Sequence, residues 1–264
     1  MGILNITPDS FSHDGLIQKG KVDPQRNLNY ALKMINDGAD IIDVGGESSR
    51  PGARPVSIQE ELRRIIPTIK LLARKIKVPI SVDTYKPQVA RCALDEGASI
   101  LNNIKGIKPN RSLLKMVGRY RAGIILMHMR KTPRTMQKNI VYKDLINDII
   151  EELTQAVDVC LELGISLGQI VVDPGIGFGK TSVDNLKILN HLQRFQEIKR
   201  PILIGASRKS FIGKILKQQA HERLLGSAAA AAVSIIKGTH IIRVHDVKAM
   251  KEIAVMTDAI ANAR

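Results

Sequence analysis

Short apolar runs alternate along this chain with longer stretches of helical periodicity. Eight runs are long enough for a buried strand and end in a polar or charged residue: Gly2–Asn5, Ile41–Asp43, Ile80–Asp83, Ser99–Asn103, Gly123–His128, Ile170–Asp173, Pro201–Ser207 and His240–His245. Between and after them, apolar residues recur about every 3.6 positions. This periodicity predicts helices at Gln25–Asp37, Ser57–Lys77, Pro87–Glu96, Arg111–Tyr120, Lys143–Leu163, Ser182–Phe195, Lys209–Lys237 with a break, and Val247–Ala261.

The regular alternation predicts an α/β fold with a parallel sheet. Strands joined by single helices pair in parallel through right-handed crossovers, and eight such units close into a (β/α)8 TIM barrel. The length of 264 residues is near the ~250 typical of one barrel. We therefore predict a single domain over residues 1–264, with its active site at the carboxyl ends of the strands. The chain begins within the first predicted strand, so we expect that a short amino-terminal segment, which would plug the barrel, is missing. The sequence leaves open whether the chain belongs to a longer fusion protein.

Composition narrows the class of protein. The net charge of +15 would suit nucleic acid, but the basic residues are scattered over the predicted helices, with no Trp and only four Tyr and four Phe for base stacking. We expect a solvated basic surface that could steer an anionic substrate, and no nucleic-acid partner. No apolar stretch reaches the ~18 residues of a membrane span, and no signal peptide is visible, so we expect a cytoplasmic protein without a membrane partner. Cys92 and Cys160 fit no metal-ligand pattern and are expected to be reduced thiols.

Two loops that follow the first two strands are rich in Gly, Pro, Ser and charge. The loop Thr7–Gly15 is polar around the single aromatic Phe11, which is typical of a mobile lid. The loop Gly45–Ala53 offers two hydroxyls and Arg50, whose guanidinium suits a phosphate. A plain turn is an equally good interpretation of the second loop when it is taken alone.

A third loop, Asp173–Thr181, follows the sixth strand and ends in Gly-Lys-Thr. It is not a P-loop, because Pro174 stands where that motif needs its first glycine. We interpret its glycines as allowing the backbone close to a flat ligand, with Asp173 as the recognition group.

Polar side chains at the strand ends supply candidate chemistry. Asp83 and Asp173 end two buried strands, and together with Asn102 they suit the donor edge of an aminopyrimidinone ring. A structural salt bridge is the alternative for each carboxylate. Lys209, after the seventh strand, could bind a carbonyl or stack over a ring, or simply be solvated.

The last strand brings two further cationic candidates. Arg243 and His245 alternate onto the same face, where both could contact an anion in the barrel mouth. For His128, a hydrogen-bonded structural role is at least as good an interpretation as a functional one. No zinc-ligand spacing is present, and Asn5 would suit Mg²⁺ held mainly by phosphate and water.

These residues lie in segments that together resemble the dihydropteroate synthase family of folate biosynthesis. The similar segments occur in family order over nearly the whole chain: Met1–Ser12, Ile42–Ala53, Ser81–Thr84, Asp173–Lys180, Ser207–Ser210 and Arg243–Asp246. The resemblance implies a transferase that joins 6-hydroxymethyl-7,8-dihydropterin pyrophosphate to p-aminobenzoate, with release of pyrophosphate. It also implies a sulfonamide target and a homodimer formed through outer helices late in the chain.

The resemblance assigns roles to individual residues. The implied catalytic residues are Asp83, Asp173, Lys209 and Arg243. The pterin would be bound by Asp83, Asn102, Asp173 and Lys209, with Phe178 lining its pocket and Arg243 stacking on its ring. Pyrophosphate would be held by Ser49, Arg50, Arg243 and His245, and Mg²⁺ by Asn5. The p-aminobenzoate pocket would be shaped by Phe11, Pro51, Lys209 and Ser210.

The implied chemistry is an SN1-like displacement. Mg²⁺ and the cationic side chains would stabilise the departing pyrophosphate, while the two aspartates would favour a pterin that becomes cationic. The aryl amine would then attack without a strong general base, and loop closure would exclude water.

The chain departs from the family pattern at three places. It reads Asn102-Asn103 where Asn-Asp is common, Ser12-His13-Asp14-Gly15 where Ser-Asp-Gly-Gly is usual, and Ser49 where Thr is more common. Two alternatives stay open on the sequence. A methyltetrahydrofolate:corrinoid methyltransferase would share the pterin aspartates but has no use for the pyrophosphate set, and a non-catalytic paralogue would bind a pterin without turnover.

Overall fold

Strands and helices alternate through the whole computed structural model, which describes residues 1–8, 16–17, 21–48, 52–106, 108, 110–132, 135–136 and 140–263. The strands are β1 Gly2–Asn5, β2 Ile42–Gly45, β3 Ile80–Asp83, β4 Ile100–Asn103, β5 Gly123–Met127, β6 Ile170–Asp173, β7 Leu203–Ile204 and β8 Ile241–Ile242. The helices are α1 Pro24–Asn36, α2 Ile58–Lys75, α3 Pro87–Asp95, α4 Arg111–Tyr120, α5 Leu145–Glu162, α6 Ser182–Asn190, α7 Ser210–Leu216, α8 Leu224–Ile236 and α9 Val247–Ala261. The predicted α/β alternation is therefore confirmed.

The strands close into a ring of parallel neighbours. β1 to β6 form one continuous parallel sheet, and β7 pairs with β8 in parallel. Two single parallel bridges, Val172 to Ile202 and Gly2 to Val244, join the two sheets at both of their edges. The order around the ring is thus the order along the chain, which is the topology of the predicted (β/α)8 barrel.

Strands seven and eight differ most from their prediction. The sequence predicts Pro201–Ser207 and His240–His245, whereas the ladders cover two residues each, Leu203–Ile204 and Ile241–Ile242. The apolar pattern continues past these ladders, and Val244, beyond β8, still pairs with Gly2 through a single bridge. The predicted helix Lys209–Lys237 divides into α7 and α8, with a 3₁₀ turn at Ala220–Glu222 between them.

Helix starts show why the local sequence forms these elements. Asp23 accepts a hydrogen bond from the backbone of Arg26 at the start of α1, and Ser57 accepts one from Glu60 at the start of α2. Pro24 occupies the first turn of α1, where a missing N–H costs nothing. Such caps satisfy backbone donors that a helix cannot satisfy itself.

Apolar side chains fill both sides of the strand ring. Alternate strand residues such as Leu4, Val44 and Ile124 are fully buried against the helices. On the opposite pleat, Met1, Ile125 and Leu203 pack together inside the barrel. The interior below the carboxyl ends is therefore a packed apolar floor, and the polar residues are left for the mouth above it. Within the described residues, no helix has the length and apolar character needed to cross a bilayer.

Candidate functional site

The register of the parallel strands brings four residues into one row at the barrel mouth. Asn5 pairs with Gly45, Gly45 with Asp83, and Asp83 with Asn102. Paired residues of a parallel sheet face the same side, so the side chains of Asn5, Asp83 and Asn102 share the mouth. Asp43 lies two residues before Gly45 and therefore faces the same side, one pleat deeper.

A buried ion-pair network occupies the centre of this row. Arg243 Nε donates to Asp43 Oδ2 at 2.6 Å, and Arg243 Nη2 donates to Asp83 Oδ2 at 2.9 Å. Asn102 Nδ2 also donates to Asp43 Oδ2, at 3.2 Å. The predicted residues Asp83, Asn102 and Arg243 are thus in one cluster. Asp43 ends the second predicted strand, so its position at the mouth was expected from the sequence, but no role was assigned to it.

Burial sets the charge balance of this cluster. It raises the pKa of Asp83 to about 7, an effect that Arg243 opposes and Asp43 and Glu61 reinforce. Burial acts to lower the pKa of Arg243, but Asp43 and Asp83 more than compensate, so this pKa lies above its ordinary value. Two carboxylates therefore share one permanently charged guanidinium. Such a site favours a ligand that brings N–H donors or positive charge.

Asp173 approaches the same mouth from β6. Its Oδ1 accepts a hydrogen bond from the Gly175 backbone at 2.7 Å. Burial raises the pKa of Asp173 to about 6, whereas the Gly175 hydrogen bond and the charges of Lys209, Lys180 and Arg243 act in the opposite direction. The carboxylate is thus held by its own loop and surrounded by cations from three parts of the chain.

The glycine-rich loop after β6 needs its glycines for close packing. Gly175 has φ of 75°, and a Cβ there would lie 2.0 Å from the His128 carbonyl oxygen. Gly177 has φ of 83°, and a Cβ there would lie 3.0 Å from Lys209 Cδ. The loop then brings the Phe178 ring to 4.1 Å from Lys209 Nζ, a cation–π contact. The structure therefore brings the predicted residues Phe178 and Lys209 together, an aromatic ring beside a cation.

The turn that carries Lys209 is anchored from several sides. Arg208 has φ of 57°, and its Nε donates to Asp246 Oδ2 at 2.9 Å. Its backbone N–H donates to Ser227 Oγ at 2.9 Å, and its carbonyl accepts from Arg223 at 3.0 Å. These bonds hold an unusual left-handed residue and so fix the direction of Lys209.

His245 and Ser210 flank this turn. His245 Nδ1 lies 3.0 Å from Ser207 Oγ, and the His245 backbone N–H donates to the same oxygen at 3.2 Å. Ser210 is exposed at the first position of α7. Both predicted residues are therefore on the mouth side of the barrel, His245 near Arg243 and Ser210 directly after Lys209.

Four predicted binding residues cannot be placed. Phe11, Ser49, Arg50 and Pro51 lie outside the described residues, and so does His13 of the predicted lid. Their roles stay predictions.

Asn103 stands where the resemblance stated above leads us to expect an aspartate. Its side-chain oxygen accepts from the Lys105 backbone at 3.0 Å, so it shapes the turn after β4. Within the described part of the chain its buried amide nitrogen has no hydrogen-bond partner. The departure therefore removes a charge from the edge of the site but keeps the turn.

Asn5 is the predicted metal contact, and its surroundings fit a loosely held ion. A Cβ at Gly45 would lie 3.7 Å from Asn5 Oδ1 and 3.8 Å from Asp83 Oδ2, so an amide oxygen and a carboxylate flank this glycine. Among the described residues, no group of three His, Cys, Asp or Glu side chains could hold a metal by itself. The donor set thus suits a hard cation that takes most of its ligands from phosphate and water, as Mg²⁺ does.

The loop after β2 is anchored on both sides of Ser49–Pro51. Glu47 Oε2 accepts from Lys86 Nζ at 2.5 Å and from the Val56 backbone at 3.1 Å, and Tyr85 donates to Glu47 Oε1 at 3.0 Å. Lys86 also contacts the buried carboxylate of Glu61 at 2.5 Å. Sequence analysis missed this anchor, since a lysine and two glutamates in separate elements carry no shared motif.

Replacing Lys86 with Met is expected to lower the free energy of unfolding by about 2 kcal/mol. The value is below the ~3–5 kcal/mol of a fully buried pair, because Glu47 keeps two other donors. Urea denaturation at pH 8 measures it. Lys70→Met is the control, since its bridge to Glu96 is exposed and is worth about 0.5 kcal/mol. Equal losses in the two variants would contradict a special role for Lys86.

Comparison with known proteins identifies the family of this chain. The model of the family described as pterin binding enzyme matches residues 1–245. The dihydropteroate synthase of Bacillus subtilis is 45% identical over 263 residues, which cover 99% of this chain and 88% of that protein. The structure of the Yersinia pestis dihydropteroate synthase in a sulfonamide drug complex has a TM-score of 0.94 and 38% identity, covering 99% of this chain and 94% of that one.

A second solved structure, dihydropteroate synthase of Clostridium difficile in the presence of pteroic acid, has a TM-score of 0.89 and 40% identity. It covers 98% of this chain and 95% of that one. Family match, near-complete coverage and barrel geometry agree. The chain therefore belongs to the pterin binding enzyme family and, within it, to the dihydropteroate synthases.

Proposed function

We propose that this chain joins 6-hydroxymethyl-7,8-dihydropterin pyrophosphate to p-aminobenzoate, giving 7,8-dihydropteroate and pyrophosphate. The observation that carries the proposal is the convergence of Asp83, Asn102, Asp173, Lys209 and Arg243 at one barrel mouth. The relative crystallised with pteroic acid supports the same reaction, since that ligand is a pterin joined to p-aminobenzoate. A corrinoid methyltransferase is not supported by this family membership.

The pterin is recognised through its N–H edge. Asp83 and Asp173 accept N–H bonds in this proposal, and Asn102 adds both an acceptor and a donor. Phe178 and Lys209, 4.1 Å apart, bound the flat ring from one side. Arg243 already lies between Asp43 and Asp83, where its planar guanidinium can stack on the pterin.

The pyrophosphate is held by cations on the opposite side of the pterin. Arg243 and His245 contribute from the end of β8, and Ser49 and Arg50 from the loop that Lys86 anchors. Asn5 would hold Mg²⁺ together with pyrophosphate oxygens, and the ion would neutralise charge on the leaving group. The net charge of +15 also favours arrival of an anionic substrate.

The displacement is SN1-like because the charged groups of the site are opposite in sign to the two ions that form when the bond to pyrophosphate breaks. Arg243, His245 and Arg50 stabilise the departing anion, while Asp83 and Asp173 stabilise positive charge that develops on the pterin. p-Aminobenzoate then attacks from a pocket shaped by Phe11, Pro51, Lys209 and Ser210. Its aryl amine is a weak base, so the chain needs no strong general base to remove a proton before attack. Closure of the first two loops would keep water from capturing the cation.

We also propose that the active unit is a cytoplasmic homodimer of one pterin-binding domain spanning residues 1–264. Large apolar side chains are exposed on the outer helices α8 and α9: Leu225, Val233, Ile236, Val255, Met256 and Ile260. Such a surface supports self-association. Cys92 and Cys160 are both free, which supports a reducing compartment.

Pyrophosphate release tests the proposed reaction. With Mg²⁺ and the pterin pyrophosphate, release is expected to depend on p-aminobenzoate and to yield dihydropteroate. Lys209→Ala is expected to lower kcat/KM for the pterin substrate about 10²-fold, because a cation beside Phe178 and Asp173 is lost. Lys214→Ala, an exposed lysine of α7, is the control and should keep wild-type activity. Tight pterin binding without turnover would instead support a non-catalytic paralogue.

A further inference from the structure

A buried lysine stands behind the pterin pocket without a role in the chemistry above. Lys180 ends the glycine-rich loop after β6 and is only 3% exposed. Its Nζ lies 2.9 Å from His128 Nδ1, 3.0 Å from the Phe178 carbonyl oxygen and 3.3 Å from the His128 carbonyl oxygen. An ammonium has three N–H donors, and three acceptors surround it. The geometry therefore matches the charged form of the side chain.

These contacts connect the loop after β5 with the loop after β6 at the edge of the site. His128 follows β5, whereas Phe178 belongs to the loop that begins at Asp173. Gly175 also packs directly against the His128 carbonyl. The Phe178 ring lies 4.1 Å from Lys209 Nζ and belongs to an apolar cluster with Met127, Met129 and Met136. The hydrogen bonds of Lys180 thus hold this ring and the loop after Asp173 in position.

His128 also lies next to a charged cluster, which consists of Arg130 and two carboxylates of α5, Asp148 and Glu152. His128 Nδ1 accepts a hydrogen bond from the Lys180 ammonium. The imidazole's own proton is therefore on Nε2, which lies 3.3 Å from Glu152 Oε2. That contact is an electrostatic one and not a well-aligned hydrogen bond. Glu152 also contacts Arg130, and Arg130 contacts Asp148. Burial, reinforced by Lys180, lowers the pKa of His128 to about 4, so the imidazole is neutral and serves as an acceptor.

We propose that Lys180 is a positioning residue of the pterin pocket, whose buried ammonium fixes the Asp173 and Phe178 loop and keeps the Asp173 carboxylate ionised for pterin binding. This inference rests on the proposed function, because it deepens the description of the same pocket. Lys180 acts through Asp173 and Phe178 and takes no part in the reaction itself.

Lys180 lies beside the turn that holds Asp173. A Cβ at Gly175 would lie 3.3 Å from Lys180 Nζ, and the Gly175 N–H donates to Asp173 Oδ1. The charges that face both groups support an electrostatic role as well. Lys209, Lys180 and Arg243 all oppose the effect of burial on Asp173, whose pKa is about 6. Burial lowers the pKa of Lys180 to about 7, with Asp173, Glu152 and Asp184 opposing it and Arg130 adding to it. Lys180 thus lowers the pKa of Asp173, and Asp173 raises the pKa of Lys180, so each group favours the charged form of the other.

The decisive experiment compares pterin affinity across pH for wild type and Lys180→Met. The probe is 6-hydroxymethylpterin, which carries no leaving group, and its Kd is measured by calorimetry from pH 5 to pH 8. In wild type, affinity for the pterin should fall as pH drops through about 6, and we call this decrease the acid limb. In Lys180→Met, we expect about tenfold weaker binding at pH 7 and an acid limb displaced upward by about one pH unit, the usual effect of losing a nearby opposite charge. KM for p-aminobenzoate should stay unchanged while KM for the pterin pyrophosphate rises.

Matched variants separate charge from packing. Lys180→Arg keeps the charge and should return the acid limb toward its wild-type position even if affinity is not restored. Lys187→Met removes an exposed lysine of α6 and should change nothing. If Lys180→Met does not fold, Glu152→Gln provides the second test, since loss of this carboxylate lowers the charged fraction of Lys180 and should weaken pterin binding at pH 7 about threefold.

The outcomes are distinguishable from failure of the proposed function. A folded Lys180→Met protein with wild-type affinity and an unmoved acid limb would overturn the role of Lys180. A higher Kd with an unchanged acid limb in both Lys180→Met and Lys180→Arg would mean that Lys180 acts through packing alone. That result would also overturn the electrostatic proposal. Failure of wild type to turn over, with the limb shift intact, would refute the reaction and keep the inference, whereas no pterin binding by wild type would refute both.

Discussion

Replacing Arg243 with Met is expected to lower the free energy of unfolding by about 3–5 kcal/mol at pH 8, the range for breaking a buried ion pair. The substitution leaves the carboxylates of Asp43 and Asp83 without the cation that lies 2.6 Å and 2.9 Å from them. Asp43 is fully buried, so it cannot recover solvation from water. Chemical denaturation, followed by circular dichroism, measures the loss.

The loss should depend on pH in a defined direction. Asp83 has a folded-state pKa of about 7 against an ordinary value of 3.8, so the folded protein holds this proton more tightly than the unfolded chain. The associated stability is present at low pH and is lost as pH rises from about 4 to 7. Arg243 limits this loss, since its charge lowers the pKa of Asp83. The difference between wild type and Arg243→Met should therefore be largest above pH 7 and smaller at pH 5.

A surface ion pair supplies the control for Arg243. Lys251 contacts Asp40 at 3.3 Å, and both side chains are well exposed. Lys251→Met should change stability by about 0.5 kcal/mol or less. If Arg243→Met were no more destabilising than Lys251→Met, the ion-pair network could not be a main support of the barrel mouth.

Replacing Asp173 with Asn is expected to lower kcat/KM for the pterin pyrophosphate about 10³-fold. The change removes the charge that favours a cationic pterin, and loss of one such electrostatic contact costs about 10²–10³ in rate. Ground-state binding through a charged acceptor adds to the loss. The measurement is steady-state kinetics with the pterin varied, together with the Kd of an unreactive pterin.

Stability provides a second readout for Asp173. Asparagine keeps an oxygen that can accept the Gly175 backbone N–H, which donates to Asp173 Oδ1 at 2.7 Å. Burial already raises the pKa of this carboxyl, so removing its charge should not lower stability at pH 8 by more than about 1 kcal/mol. Activity and stability should therefore separate in this variant.

Asp158→Asn is the control for Asp173→Asn. Asp158 is an exposed residue of the outer helix α5, so this variant should keep activity near that of wild type. A similar loss in both variants would contradict a specific role for the Asp173 charge.

Local pattern was sufficient for most of the scaffold and part of the site. Apolar runs with polar ends predicted Asp83, Asn102 and Asp173 at the barrel mouth, because parallel strands all finish on the same side. The same pattern predicted too long a β7, since Ala206 is buried although it lies outside the short ladder. Val244, beyond β8, is also buried and pairs with Gly2 through a single bridge. Burial pattern reports which residues leave water, and it does not report which backbone groups pair.

The sequence by itself determined the (β/α)8 order, the family, and the residue types available at the strand ends, because periodicity and motifs are properties of neighbouring positions. Only the tertiary structure decided which charges meet. Arg243 finds Asp43 across 200 positions of sequence, and Lys180 finds His128 across 52. These pairs form because ring closure and loop packing bury the groups together, and burial makes each lone charge costly. No local signal carries that cost, so Lys86, Lys180 and the pairing of Asp43 with Arg243 became visible only in the folded chain.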